Sequence, residues 1–96
     1  MTTDKLISIL VMYKRHLEGK GYEALKCQNP KQQDYFVDKT KALSHVVYMC
    51  DETMNTHIPN GKIEKSMRWL GSIQTILFTH GEFSLCNVGD HSRPDL

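Results

Sequence analysis

Five histidines and three cysteines in 96 residues are the side chains most able to do chemistry here, and metal binding is the first chemistry to weigh. A structural zinc site wants ligand pairs at close spacing, of the C-x₂-C or H-x₃-H kind. Here Cys50 and His57 stand seven apart, while His45 and Cys50, and Cys86 and His91, stand five apart. None is a standard pair, so the spacing predicts no metal. Cys50 falls on an apolar stripe, where a free cysteine behaves as a small hydrophobe. Nucleophilic catalysis would need a thiol, an imidazole base and an orienting group brought together. Cys86, His80 and Asp90 could be drawn that way near the C-terminus, but no strand-turn-helix elbow or glycine-rich phosphate loop accompanies them. The expectation is therefore a protein without enzymatic activity or cofactor.

Recognition is the chemistry that remains, and charge bounds it. Twelve basic and eleven acidic residues leave a formal net charge of +1, so no global field selects nucleic acid or an anionic membrane. Lys62, Lys65 and Arg68 cluster locally, but Glu64 sits among them and can pair with Arg68 at i,i+4. That pairing predicts a solvated, ion-paired surface in preference to a phosphate-neutralising face. Trp69 brings a large apolar body with one donor. Gln74 occupies a position that its stripe would otherwise fill with an aliphatic side chain. A buried amide must find partners, either inside a satisfied core beside Gly71 at a close helix crossing, or across a subunit boundary or in a ligand. On either account Gln74→Leu is expected to change assembly or binding while leaving the fold intact.

The elements that must position these residues are helices. From Gly61 to Gly81, one stripe carries Ile63, Met67, Leu70, Gln74 and Leu77, and a second carries Trp69, Ile73 and Ile76. Two apolar stripes predict a helix packed on more than one side, which would make this the innermost helix of the bundle. Gly81 is its expected C′ residue, with His80 in the last turn. A first helix is expected from about Asp4 to Glu18, with Thr3 as N-cap and Leu6, Ile9, Leu10, Tyr13 and Leu17 facing inward. Gly19 and Gly21 end it, and Tyr22 to Gln28 gives no clear pattern. A second helix is expected from Pro30 to Thr56, capped by Asn29 with Gln32 at capping-box spacing. Its inward face is Phe36, Leu43, Val47, Cys50 and Met54, and its wet side carries Lys39 and Lys41. Ile58-Pro59-Asn60-Gly61 breaks the chain. A short fourth helix is expected from Ser84, with Phe83 and Val88 at hydrophobic-staple spacing and Gly89 keeping it brief.

The whole chain, residues 1–96, thus reads as a single all-α domain: three main helices plus a short C-terminal one. Its composition of 40% hydrophobic and 24% charged residues is that of an ordinary globular chain. The longest apolar run, near Ile9 to Tyr13, is too short to span a bilayer. Asp4 and Lys5 lie before it and no cleavage site follows, so neither a membrane span nor a signal peptide is expected. Three cysteines without close spacing suit a reduced cytoplasm. Burial of leftover apolar surface in a homo-oligomer is expected to be open to a chain of this size.

The block GKIEKSMRWLGSIQTILFTHGEFSL, with the closing DHSRPD, resembles the C-terminal half of a family of small uncharacterised tailed-phage proteins. That family carries a K-x-x-R-W-L-G-x-I-Q helix, a glycine, a short helix and an S/N-R-P ending. The matching positions are Lys65, Arg68, Trp69, Leu70, Gly71, Ile73, Gln74, Gly81, Ser92, Arg93 and Pro94. Thr75 departs from the family's glycine, and the short helix lacks its acidic residues. The resemblance implies an accessory protein made in the cytoplasm of an infected host cell, without known catalytic residues. The expected function is binding of a host or phage protein, for host takeover or against a defence. The alternative is a small helical oligomer that sequesters a nucleotide or nucleotide-derived signal, with phosphate forks from Arg68 and Arg93 and a stacking surface from Trp69. Arg68, Trp69, Gln74 and Arg93 are the candidate binding residues.

Overall fold

A computed structural model describes residues 1–27 and 37–92. Among these residues all regular structure is helical: α1 (Thr3–Gly19), α2 (Lys39–Glu52), a π-helical turn (Thr53–His57), α3 (Ile63–Thr79) and α4 (Leu85–Ser92). No helix among them is long and apolar enough to cross a membrane.

Helix α1 starts one residue earlier than the sequence suggests. The Thr2 hydroxyl, not that of Thr3, accepts from the Lys5 N–H at 3.1 Å, and Asp4 lies in the first turn, where the helix dipole favours it. The five inward positions Leu6, Ile9, Leu10, Tyr13 and Leu17 are all buried. At the far end the N–H groups of Gly21 and Tyr22 bond back to the carbonyls of Glu18 and Leu17. Residues 22–27 then run without helix. This strap is tied to α2 by the Leu25 N–H donating to the Ser44 carbonyl at 3.1 Å.

Helix α2 begins at Lys39, where the Asp38 carboxylate accepts from the Lys41 N–H at 2.9 Å. The expected start at Asn29-Pro30, with Gln32 and the inward Phe36, lies outside the described residues. Lys39 and Lys41 are exposed as expected. Helical winding continues to His57, but its last five residues shift to the π register, with the Ile58 N–H donating to the Thr53 carbonyl at 3.0 Å. Thr53 marks the change. Its buried hydroxyl donates to the Met49 carbonyl at 2.8 Å, a back-bond that bends helices.

The innermost helix is α2, not α3. Between Ala42 and Cys50 only His45 and Tyr48 keep partial exposure, and α1 and α3 both pack on this helix. Helix α3 buries Leu70, Ile73, Gln74 and Leu77, while Ile63 and Met67 on the same stripe are 43% and 38% exposed. The start of the stripe is thus left without a packing partner among the described residues, and Ile63 lines an open cleft. Gly71 is exposed, and a Cβ built there meets nothing within 4 Å, so no close helix crossing occurs at that point.

Gly81 ends α3 as expected. At φ 76° it adopts the left-handed conformation that glycine takes without steric cost, and the Glu82 N–H reaches the Leu77 carbonyl at 2.9 Å. Ser84 and Asn87 cap α4 reciprocally, each side chain accepting from the other's backbone N–H. The helix continues past Gly89 to Ser92. Leu43→Ala, in the enclosed stretch of α2, should lower the unfolding free energy by about 2–5 kcal/mol. Met67→Ala should change it by only about 0.5 kcal/mol. Urea denaturation of the two variants against wild type distinguishes this ordering from one with α3 innermost.

Candidate functional site

The structure separates the candidate binding residues. Gln74 lies in the interior, where its Nε2 donates to the Tyr13 hydroxyl at 3.1 Å and to the Ser92 hydroxyl at 2.8 Å. Because Tyr13 accepts from Gln74, its own O–H is free to donate to His91 Nδ1, 2.8 Å away. Burial pushes the Tyr13 phenol above its usual range, and the bond from Gln74 partly offsets this. The Phe83 ring closes the cluster with centroids 5.3 Å from both Tyr13 and His91. Beside it, Lys20 Nζ lies 3.0 Å from both carboxylate oxygens of the nearly buried Glu82. Gln74 is thus a satisfied core amide that joins α1, α3 and α4, and both its N–H groups are used inside the chain.

Arg68 and Trp69 lie towards the other end of α3, by the cleft. The cleft is formed by the π turn, the Ile58-Pro59-Asn60-Gly61 break and the start of α3. The break is held by the Asn60 side-chain amide donating to the Thr56 carbonyl at 2.7 Å, and by the Gly61 and Lys62 N–H groups donating to the Ile58 and His57 carbonyls at 3.0 and 2.9 Å. Its open volume is about 910 Å³, and His57, Lys62, Ile63, Glu64, Lys65 and Arg68 contribute to its walls. Three cations stand there against one carboxylate. The i,i+4 ion pair expected between Glu64 and Arg68 is not formed, and among the described residues Arg68 has no ion-pair partner. No side chain caps α3, so the N–H groups of Ile63, Glu64 and Lys65 have neither a helical acceptor nor a capping one.

His57 is the residue that sequence reasoning missed. It is 4% exposed, it contributes to the cleft wall, and its buried Nδ1 has no hydrogen-bond partner. Burial lowers its pKa from the usual imidazole value and the nearby Lys65 charge adds to this, with Glu52 opposing, so the ring is neutral at pH 7. Trp69 is half-buried behind it, edge-on at 4.4 Å between ring centroids, with Lys65 Nζ 5.9 Å from the indole centroid. The signal available in the sequence was position: His57 immediately precedes the Ile-Pro-Asn-Gly break, where a change of helical register aims a side chain at the turn.

The chemistry open to this arrangement is recognition of negative charge. Lys62, Lys65, Arg68 and the first turn of α3 supply donors and a positive potential. Arg93 lies outside the described residues. Among the described residues no three His, Cys, Asp or Glu side chains gather as a metal ion would require. Cys50 is buried, with its thiol pushed up to about 12 by burial, which leaves it inert as a nucleophile, while Cys86 is exposed on α4. Comparison of the chain with protein-family models, with curated proteins and with solved structures finds no match.

Gln74→Leu should do more than the sequence suggested. It leaves the Tyr13 and Ser92 oxygens without a donor, a loss of about 1–3 kcal/mol of stability. Thr75→Leu, on the exposed neighbouring position, should stay within about 0.5 kcal/mol. Chemical denaturation of both variants checks the difference.

Proposed function

We propose that this chain acts by recognition and not by bond-making, as a phage accessory protein that binds a host or phage protein in the infected cell's cytoplasm. The observation that carries the reading is an exposed apolar pair, Ile63 and Met67, one helical turn apart on α3, of which Ile63 also lines the cationic cleft. Apolar side chains left open beside complementary polar groups are what a partner's anchor residues bury. The K-x-x-R-W-L-G-x-I-Q resemblance supplies the phage setting. The test compares wild type with Met67→Asp, an exposed substitution that keeps the helical circular-dichroism spectrum. Affinity capture from host lysate, with and without infection, should recover a stoichiometric protein with wild type and lose it with the variant. Recovery of none, or equal recovery by both, overturns the reading.

One observation favours a second reading, in which the chain sequesters a nucleotide or nucleotide-derived signal: Arg68, without an ion-pair partner among the described residues, lines the same cleft as the uncapped start of α3, a natural seat for a phosphate. A thermal-shift screen against nucleotides tests it. A ligand at about 100 times its dissociation constant adds about 2.7 kcal/mol of stability, several degrees for a domain of this size. No shift with any nucleotide removes this reading.

A further inference from the structure

The cleft at the start of α3 holds three features that ask for the same complement. Its cations lie at i, i+3 and i+6: Lys62, Lys65 and Arg68. The first-turn N–H groups of α3 have no capping side chain. His57, 4% exposed, contributes to the wall with an unpartnered ring nitrogen. A single oxyanion could meet one cation and the helix end, but the row of cations is longer than that. At about 1.5 Å rise per residue, positions 62 and 68 are about 9 Å apart along the axis. An extended chain covers that distance in about three residues. The wall is apolar as well as charged, since Ile63 contributes to it and stays 43% exposed. Separated negative charges flanked by apolar groups describe a peptide better than a lone phosphate.

We propose that this cleft docks an acidic segment of a partner protein, its carboxylates on Lys62, Lys65, Arg68 and the open N–H groups of α3, an apolar side chain on Ile63. One carboxylate takes the N-cap role that no residue of this chain fills. His57 contributes to the wall, with its Nδ1 buried beneath the surface. Glu64, the one carboxylate on the wall, sets a limit on where acidic side chains can sit and so gives the segment a register. The inference rests on the protein-partner reading and adds the chemistry of the partner's contact segment.

Trp69 is the only tryptophan, and its ring meets His57 edge-on at 4.4 Å, so its emission reports occupancy of the cleft. The probe is a blocked twelve-residue peptide of Glu-Leu-Ser repeats, titrated beside its Gln-Leu-Ser counterpart, inorganic phosphate and adenosine monophosphate. The Glu peptide should change the emission saturably and bind at least tenfold more tightly than the Gln peptide or either phosphate compound. Arg68→Glu should weaken it at least tenfold with helicity unchanged, and the milder pair Lys65→Gln with Arg68→Gln should act in the same direction. Equal affinity for the Gln peptide, tighter binding of phosphate or the nucleotide, or no saturable change overturns the assignment. Loss of lysate capture on Met67→Asp without any response to the Glu peptide leaves the partner reading standing and removes this one. A specific peptide response without a captured protein does the reverse.

Discussion

Enclosure of α2 is the constraint on which the molecule depends. A chain of 96 residues can cover one helix on nearly all sides, and here α1 and α3 cover the stretch from Ala42 to Cys50. Leu43, Val46, Val47 and Cys50 have lost essentially all contact with water, and they meet the buried faces of α1 and α3 in one cluster. Because that cluster takes so much of the apolar surface available, little is left for the ends of the bundle. Those ends are held by polar means, and they are where the structure becomes specific.

The two ends are built on opposite terms. At one, polar groups are matched inside the chain: Gln74 gives both N–H groups to Tyr13 and Ser92, Tyr13 faces His91, and Lys20 pairs with Glu82, although the buried Nε2 of the adjacent His16 has no hydrogen-bond partner. Such a network fixes the docking of α4, because a partly satisfied version would cost more than an apolar contact. At the other, among the described residues, Arg68 has no ion-pair partner, α3 has no capping side chain, and His57 Nδ1 has no hydrogen-bond partner. α3 joins the two ends, with Gln74 and Trp69 less than two turns apart.

What could be read from the sequence follows from how local each signal is. The buried face of α1, the C′ role of Gly81 and the Ser84 start of α4 depend on spacing or on one bond pair, and all three were legible. The start of α1 slipped by one residue because Thr2 and Thr3 offer the same hydroxyl. The rank of α2 and α3 was misjudged because periodicity shows which positions are apolar and cannot show how much of a stripe finds a neighbour. Ile63 and Met67 have the right spacing and remain exposed. The partners of Gln74 were beyond reach for a different reason: Tyr13 is 61 residues away, and no local pattern records such a contact. The π turn was equally hidden, since no residue pattern in this stretch distinguishes it from a continued α-helix.

Of the open groups in the cleft, His57 carries the most information about what the site is for. A cation or a backbone N–H at a surface can turn to water at little cost, so its lack of a partner says little. A ring nitrogen cut off from water cannot, and leaving it unmatched costs about 1–3 kcal/mol. A fold only a few kcal/mol more stable than its unfolded chain could avoid that cost with a phenylalanine at this position. Burial and the Lys65 charge push the ring's pKa down, with Glu52 opposing, so both disfavour a further positive charge there. Charge at the cleft is then left to Lys62, Lys65 and Arg68, which can draw an anion from a distance.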